Sequence, residues 1–164
     1  GLWTKANNYE LSARVPLILS VPNQKQKGTV TNAFVELVDL YPTLTEACGL
    51  GIPDGLEGLS MTPLLDKPDR SWKTAAFNQY PRDYTKTKHE KHGDVMGYSI
   101  RTDRYRYVEW RDWNSSEVLH QELYDHSTDP HETINQAGTE EMASALSRHQ
   151  EILRDGWQGV LPKN

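Results

Sequence analysis

The chain has 164 residues, of which 36% are hydrophobic and 25% charged, and its formal net charge is −5. This composition is typical of a globular protein of ordinary domain size and excludes disorder, collagen and coiled coil. The acidic balance argues against a nucleic-acid partner, and no stretch approaches the ~20 apolar residues of a membrane-spanning helix.

The first half of the chain predicts one strand followed by one helix. Val15–Val21 is a short apolar run without alternation, which is typical of a strand covered on both faces, as in a parallel sheet. Leu40–Cys48 follows as a helix, with Asp39 as its N-cap and Gly49 as its left-handed stop. Cys48, the one cysteine, has apolar neighbours, so we expect it in the core. A strand followed by such a helix indicates an α/β layer.

The second half predicts a small antiparallel sheet and one helix. The strand-like runs are Ala75–Tyr80, Tyr98–Trp110 and Glu122–Asp125. Within the second run, polar and apolar residues alternate on both sides of a turn at Asp103 and Arg104. A helix capped by Thr139 and ended by Gly156 closes the chain. Its apolar stripe predicts packing against the sheet and comprises Met142, Ala145, Leu146, His149, Ile152, Leu153 and Trp157.

Few residues carry a recognisable chemical pattern, since the sequence has no GxGxxG, P-loop, HExxH or GxSxG motif. His89 and His92 have metal-ligand spacing, but without a third ligand a solvated loop is the favoured interpretation. Residues 83–108 form a basic island of net charge +2, which either faces an anionic ligand or keeps a loop in water. Lys5 lies in a polar segment just before the predicted strand, where a lysine suits a phosphate or sulfate oxygen.

Several blocks of the sequence, taken in order, resemble the type I sulfatases, most closely the iduronate-2-sulfatase branch and its bacterial relatives. The resemblance extends to about residue 137. The blocks are G-L-W-T-K-A-N-N-Y-E-L-S-A-R-V-P-L-I (Gly1–Ile18), F-V-E-L-V-D-L-Y-P-T-L-T-E-A-C-G (Phe34–Gly49), A-F-N-Q-Y-P-R (Ala76–Arg82), M-G-Y-S-I-R-T-D-R-Y-R-Y-V-E-W (Met96–Trp110) and E-L-Y-D-H-S-T-D-P (Glu122–Pro130).

The resemblance implies an α/β fold class, namely the C-terminal part of an alkaline-phosphatase-like sulfatase. A small α+β subdomain, made of an antiparallel sheet and a C-terminal helix, completes it. We expect residues 1–70 to be the end of the α/β catalytic domain and residues 71–164 to be the C-terminal α+β subdomain.

The resemblance also implies hydrolysis of sulfate esters by a formylglycine nucleophile beside a bound Ca²⁺. Lys5 matches the lysine that contacts the sulfate in that family. The nucleophile motif C/S-x-P/A-x-R occurs nowhere in this chain, and Cys48 lies in C-G-L. We therefore expect the formylglycine and the metal ligands on an N-terminal part of the same sulfatase, and this chain alone to be inactive. The family implies a periplasmic or secreted protein in a bacterium and a lysosomal one in a eukaryote.

Three residues at a strand end are candidates for binding a sulfated glycan: Gln79, Tyr80 and Arg82. An arginine can fork onto a sulfate or carboxylate, and a tyrosine can stack on a sugar. The alternative is that Tyr80 and Pro81 merely terminate the strand. A different set of arginines is expected to brace the hairpin through cross-strand pairs: Arg101, Arg104 and Arg106.

Two other functions stay open from the sequence. The chain could be a stand-alone module that binds an acidic glycan through residues 83–108. Alternatively, the parent enzyme could be a phosphodiesterase of the same superfamily.

Overall fold

The computed structural model describes residues 7–82 and 94–163. They form two compact units. Of the described residues, the sheet unit comprises 7–16, 77–82 and 94–160, and the helical unit comprises 17–76 and 161–163. The predicted domain boundary after residue 70 concerns a longer enzyme and stays a prediction.

The regular elements of the described residues are four strands, four α-helices and two 3₁₀ turns. The strands are β1 (Ala75–Arg82), β2 (Val95–Thr102), β3 (Tyr105–Asp112) and β4 (Val118–Asp125). The helices are α1 (Glu10–Ala13), α2 (Leu40–Ala47), α3 (Thr62–Asp66) and α4 (Ala143–Asp155), and the 3₁₀ turns are Leu37–Asp39 and Trp157–Val160. None of the helices described is long and apolar enough to cross a membrane.

The sheet has the order β1-β2-β3-β4, and β3 pairs antiparallel with both of its neighbours. The predicted hairpin is confirmed, because β2 and β3 are joined directly through Asp103 and Arg104. Alternating side chains give the sheet two different faces. One face carries Ile100, Tyr107 and Leu123, which are fully buried. The other face carries Val95, Val108 and Trp110, which form a second buried cluster.

Helix α4 covers the first of these faces, as its apolar stripe predicts. Its contacts with the buried cluster come from Ala145, Leu146, Ile152 and Leu153, and Met142, just before the helix, packs there too. The helix ends at Gly156, whose φ of 75° is the left-handed conformation expected there. The predicted start after Thr139 is too early, because residues 139–142 form hydrogen-bonded turns before the helix begins.

The opposite face is covered by residues 7–13, which we call the anchor segment. Its helix α1 is a single turn, and its side chains reach β1, β2 and β3. Tyr9 of the anchor segment stacks edge-on against Tyr124 of β4, with ring centroids 5.9 Å apart. The sheet unit is therefore a layer between a C-terminal helix and an N-terminal segment.

In the helical unit, α2 ends where the sequence predicts, because Gly49 has a φ of 71°. Asp39, however, does not cap α2 with its side chain. Its carboxylate accepts the backbone N–H groups of Glu36 and Leu59 and is salt-bridged by Lys73. Asp39 is fully buried, so these contacts take precedence over the cap. The unit's buried cluster consists of Met61, Leu64 and Trp72.

The described chain differs from two predictions, the strand at Val15–Val21 and the buried Cys48. Val15–Val21 forms no strand, and Val15, Leu17 and Ile18 are 53%, 42% and 92% exposed. An apolar run becomes a strand only beside another strand that accepts its hydrogen bonds, and no described residue supplies one. Cys48 is exposed rather than in the core, because it follows the last residue of α2 on the solvent side.

Candidate functional site

The predicted substrate residues are on β1, where alternation divides them between the two faces of the sheet. Phe77 packs against the cluster under α4, so Gln79 falls on the α4 face. Tyr80 and Arg82 fall on the opposite face, together with Asn78. Gln79 and Tyr80 are exposed and Arg82 is half-buried. The structure therefore groups Tyr80 with Arg82 and separates both from Gln79. Several other candidates lie outside the described residues: Lys5, His89, His92 and residues 83–93 of the basic island.

Arg82 stacks on an aromatic ring at this face. The central guanidinium carbon lies 4.2 Å from the centroid of the Trp110 ring. Trp110 is 4% exposed, and its Nε1–H donates to Glu122 at 2.9 Å, so the ring is fixed from its edge. Within residues 7–82 and 94–163, no carboxylate forms a salt bridge with Arg82. The other sheet arginines do have acidic partners: Arg101, Arg104, Arg106 and Arg111. Arg82 thus offers a positioned cation.

The anchor segment is seated against the same ring. Asn8 is 1% exposed, and its Oδ1 accepts a hydrogen bond from Asn78 at 2.8 Å. A Cβ at Gly97 would lie 2.3 Å from Asn8 Nδ2 and 2.5 Å from Trp110 Cζ3. Glycine is therefore required at position 97, since any side chain would collide with the anchor segment and the ring together.

Below this contact, the anchor segment is held by a buried ion network. Arg106, 1% exposed, donates to Glu10 and to Glu132, each at 2.6 Å. Arg101 also donates to Glu10, at 3.1 Å. Burial raises the pKa of Glu10, but the hydrogen bond and positive charge of Arg106 outweigh burial and hold that pKa below its usual value. The carboxylate is therefore ionised and joins α1 to the sheet.

The prediction that three arginines brace the hairpin by cross-strand pairs needs correction. Arg101 and Arg106 are directly opposite each other in the register, and like charges there repel. Both are instead neutralised by Glu10 of the anchor segment. Arg104 lies in the turn between β2 and β3 and pairs with Asp125 of β4, and its hydrogen bond holds the pKa of that carboxyl far below its usual range.

One cluster has the geometry of a metal site. The ligand atoms of Glu10, His126 and Glu132 lie within 4.8 Å of one another. Arg106 bonds both carboxylates, and His126 Nε2 lies 2.8 Å from Glu132. Ca²⁺ requires six to eight oxygen ligands, so a pair of carboxylates already neutralised by guanidinium groups does not fit it. A calcium ion therefore has no fitting site among these residues.

The contact between the anchor segment and this face was not predictable from the sequence. Asn8 and Asn78 are 70 positions apart, and no local pattern links them. One available signal was Gly97, because a glycine inside an alternating strand marks a close approach by another part of the chain.

Comparison with known proteins gives a consistent set of relatives. A family model described as N-sulphoglucosamine sulphohydrolase, C-terminal, matches residues 1–156. Arylsulfatase K from Homo sapiens is 34% identical over 133 residues, covering 81% of this chain. Iduronate 2-sulfatase from Mus musculus is 32% identical over 169 residues and covers 73% of this chain. The N-acetylglucosamine-6-O-sulfatase of Bacteroides thetaiotaomicron is 27% identical over 161 residues, covering 94%.

Solved structures show the same similarity. The phosphonate monoester hydrolase of Agrobacterium radiobacter has a TM-score of 0.59 and 30% identity, covering 75% of this chain and 25% of its own. A protein solved in complex with its substrate D-glucosamine-2-N,6-O-disulfate has a TM-score of 0.52 and 25% identity, covering 72% and 24%. The chain spans about a quarter of the length of its curated relatives, namely 24% of arylsulfatase K, 31% of iduronate 2-sulfatase and 27% of the N-acetylglucosamine-6-O-sulfatase.

Proposed function

Because the chain belongs to the family of N-sulphoglucosamine sulphohydrolase C-terminal regions, we propose that it is the C-terminal part of a sulfatase acting on a sulfated glycan. The observation that carries this proposal is the family match over residues 1–156. The relatives support the substrate class, since iduronate 2-sulfatase and N-acetylglucosamine-6-O-sulfatase are named for sulfated sugars.

The rest of the same enzyme is the proposed partner of this chain. It would carry the formylglycine, because the chain lacks the C/S-x-P/A-x-R motif, and the Ca²⁺ ligands, because the described residues do not fit that ion. The exposed apolar side chains of the helical unit favour such a partner, because an exposed apolar surface is typical of a protein–protein interface. They include Val30, Leu37, Val38, Tyr41, Leu44, Leu50 and Ile52. The compartment that goes with this function is the periplasm or exterior of a bacterium, or the lysosome of a eukaryote.

Lys5 is proposed to contact the sulfate. A cation there would stabilise the charge that develops on the sulfate and the leaving oxygen in the transition state. Lys5→Ala in the full-length enzyme is expected to lower kcat for a sulfate ester about a hundredfold. Lys25→Ala is the control, because Lys25 is an exposed lysine paired with Asp66. Turnover of Lys5→Ala close to that of wild type would refute the role of Lys5.

The opposite face of the sheet is proposed to contribute one wall of the substrate cleft. Arg82 supports this role because its guanidinium is stacked and lacks a carboxylate partner in the described chain. Tyr80, on the same face and 37% exposed, has a surface on which a sugar can stack. Gln79 remains a predicted contact, although alternation directs it to the α4 face.

Arg82 can be tested by two substitutions with different chemistry. Arg82→Ala is expected to raise KM for a sulfated disaccharide about tenfold, because a charge-assisted, forked contact is lost. Arg82→Lys is expected to raise KM nearly as much, since lysine keeps the charge but lacks the planar fork. Steady-state kinetics distinguish the outcomes. Arg70→Ala is the control, because Arg70 also lies over a tryptophan ring, that of Trp72, but in the helical unit. Unchanged KM in Arg82→Ala would remove this residue from the site.

A stand-alone glycan-binding module is the competing function, and it predicts a different behaviour of the isolated chain. As part of a sulfatase, the chain expressed alone is expected to aggregate through its exposed apolar residues. A module would be monodisperse and would bind heparin with salt-dependent retention. Size-exclusion chromatography followed by heparin chromatography separates the two, and a monodisperse chain retained on heparin contradicts the sulfatase proposal.

A phosphoester or phosphonate substrate is the second candidate, because the phosphonate monoester hydrolase matches with a TM-score of 0.59. Profiling the full-length enzyme against matched sulfate, phosphate and phosphonate esters decides between them. A kcat/KM that is higher for the phosphorus esters would favour this candidate.

A further inference from the structure

The ring of Trp110 has two polar side chains nearby, Arg82 and Asn8, in addition to its apolar neighbours. Arg82 stacks at 4.2 Å from its centroid, and the edge around Cζ3 lies beside Gly97 and Asn8. The apolar partners of Trp110 are Val95 and Val108. Besides packing with them, the buried indole supplies a flat surface for a cation.

Stacking on a fixed ring limits the orientations of the guanidinium. Trp110 cannot rotate freely, because Nε1 is bonded to Glu122 and Glu122 in turn accepts from Tyr124 at 3.0 Å. The central guanidinium carbon of Arg82 is held 4.2 Å from the ring centroid. A planar fork of this kind matches two oxygens of a sulfate or carboxylate.

We propose that Trp110 is a positioning residue, which holds Arg82 oriented for an oxyanion of the substrate. This inference rests on the proposed function, because it assumes that Arg82 binds a substrate anion. Trp110 does not touch the substrate. Its effect is to restrict the side chain of Arg82 before binding, which reduces the entropy lost when the complex forms.

Two substitutions of Trp110 separate positioning from packing. Trp110→Phe retains an aromatic face, Trp110→Met removes it, and both lose the indole N–H that donates to Glu122. In the full-length enzyme we expect Trp110→Met to raise KM for a sulfated disaccharide about fivefold with kcat unchanged, and Trp110→Phe to stay close to wild type. A role in packing alone would lower thermal stability in both variants and leave KM unchanged.

The decisive control is the same pair of substitutions in an Arg82→Ala background. If Trp110 acts through Arg82, Trp110→Met adds no further increase in KM there. An increase that persists without Arg82, or equal KM values for the Met and Phe variants, would overturn the proposal.

The substrate identifies which oxyanion is bound. If Trp110→Met raises KM for both a simple aryl sulfate and the disaccharide, Arg82 binds the sulfate that is cleaved. If KM rises for the disaccharide alone, Arg82 binds a second anionic group of the substrate. Either result supports the role of Trp110. If wild type binds the disaccharide without hydrolysing it, the proposed function fails, and the same variants compared by calorimetry still test Trp110. A wild type that does not bind the disaccharide at all refutes both.

Discussion

Arg106→Met is expected to destabilise the sheet unit by about 3–5 kcal/mol, because it leaves the buried carboxylate of Glu132 without its guanidinium partner. The guanidinium contacts Glu10 and Glu132 at 2.6 Å each, and Ser99 at 3.0 Å. Glu132 has a side chain that is 2% exposed, so water cannot replace the lost partner. Native-state hydrogen exchange of the β2 and β3 amides in the full-length protein measures this effect on the sheet unit alone.

Arg14→Met is the matched control, since Arg14 pairs with the same Glu10 from the solvent side. Their atoms are 3.5 Å apart and the Arg14 side chain is 77% exposed. An exposed pair contributes little, so exchange in Arg14→Met is expected to match wild type. Equal destabilisation by the two variants would mean that the buried network does not hold the anchor segment.

The same network predicts a pH dependence. The pKa of Glu10 is lower in the folded protein than its ordinary value of 4.5. Glu10 therefore contributes stability that is fully present above about pH 4.5 and is lost as the pH falls through its folded pKa. Because Arg106 is the main group that lowers this pKa, its removal should flatten the loss of stability below pH 4.5.

Elements with local signals were predictable from the sequence. The β2–β3 hairpin follows from alternation around Asp103 and Arg104, and α4 from its apolar stripe and Gly156. The predicted sheet with a C-terminal helix is present, and the similarity to solved structures of a Bacteroides sulfatase and of the phosphonate monoester hydrolase confirms the predicted fold class. Each of these signals lies within one turn or one helix, so no distant residue is needed to interpret it.

Elements whose state depends on distant residues were not predictable. Val15–Val21 has the composition of a buried strand, but a strand also needs a neighbour, and the run itself cannot specify one. Asp39 has the pattern of a helix cap, but Lys73, 34 positions later, binds its carboxylate instead. In both cases the local pattern indicates what kind of contact the side chains can make, but distant residues decide which structure forms.

The candidate site shows the same division. Arg82 could be selected from its residue type at the end of a strand, and Lys5 from the family resemblance. The contacts around Arg82 could not, because Trp110 and Asn8 reach this face from other parts of the chain. Residue type indicates which side chains can bind an anion, whereas the three-dimensional contacts show which sheet arginines have an acidic partner among the described residues.

In the helical unit, Lys73→Met is expected to be destabilising by about 3–5 kcal/mol, for the same physical reason as Arg106→Met. Lys73 Nζ lies 2.7 Å from both Glu36 Oε2 and Asp39 Oδ1, and its side chain is only 3% exposed. Asp39 also accepts the N–H of Leu59 at 2.8 Å, so its charge fixes the loop before α3. Without Lys73, a fully buried carboxylate would remain with backbone donors only, which raises the free energy of the folded state.

Exchange of the α2 amides measures this effect, and Lys25→Met is its control. Lys25 also pairs with an aspartate, Asp66, at 3.0 Å, but the two side chains are 74% and 51% exposed. The control should therefore leave α2 exchange unchanged. Adding Asp39→Asn to Lys73→Met should recover part of the loss, because it removes the unpaired charge while an amide oxygen still accepts from Leu59. If that double variant is no more stable than Lys73→Met, the loss comes from packing of the lysine stem rather than from charge.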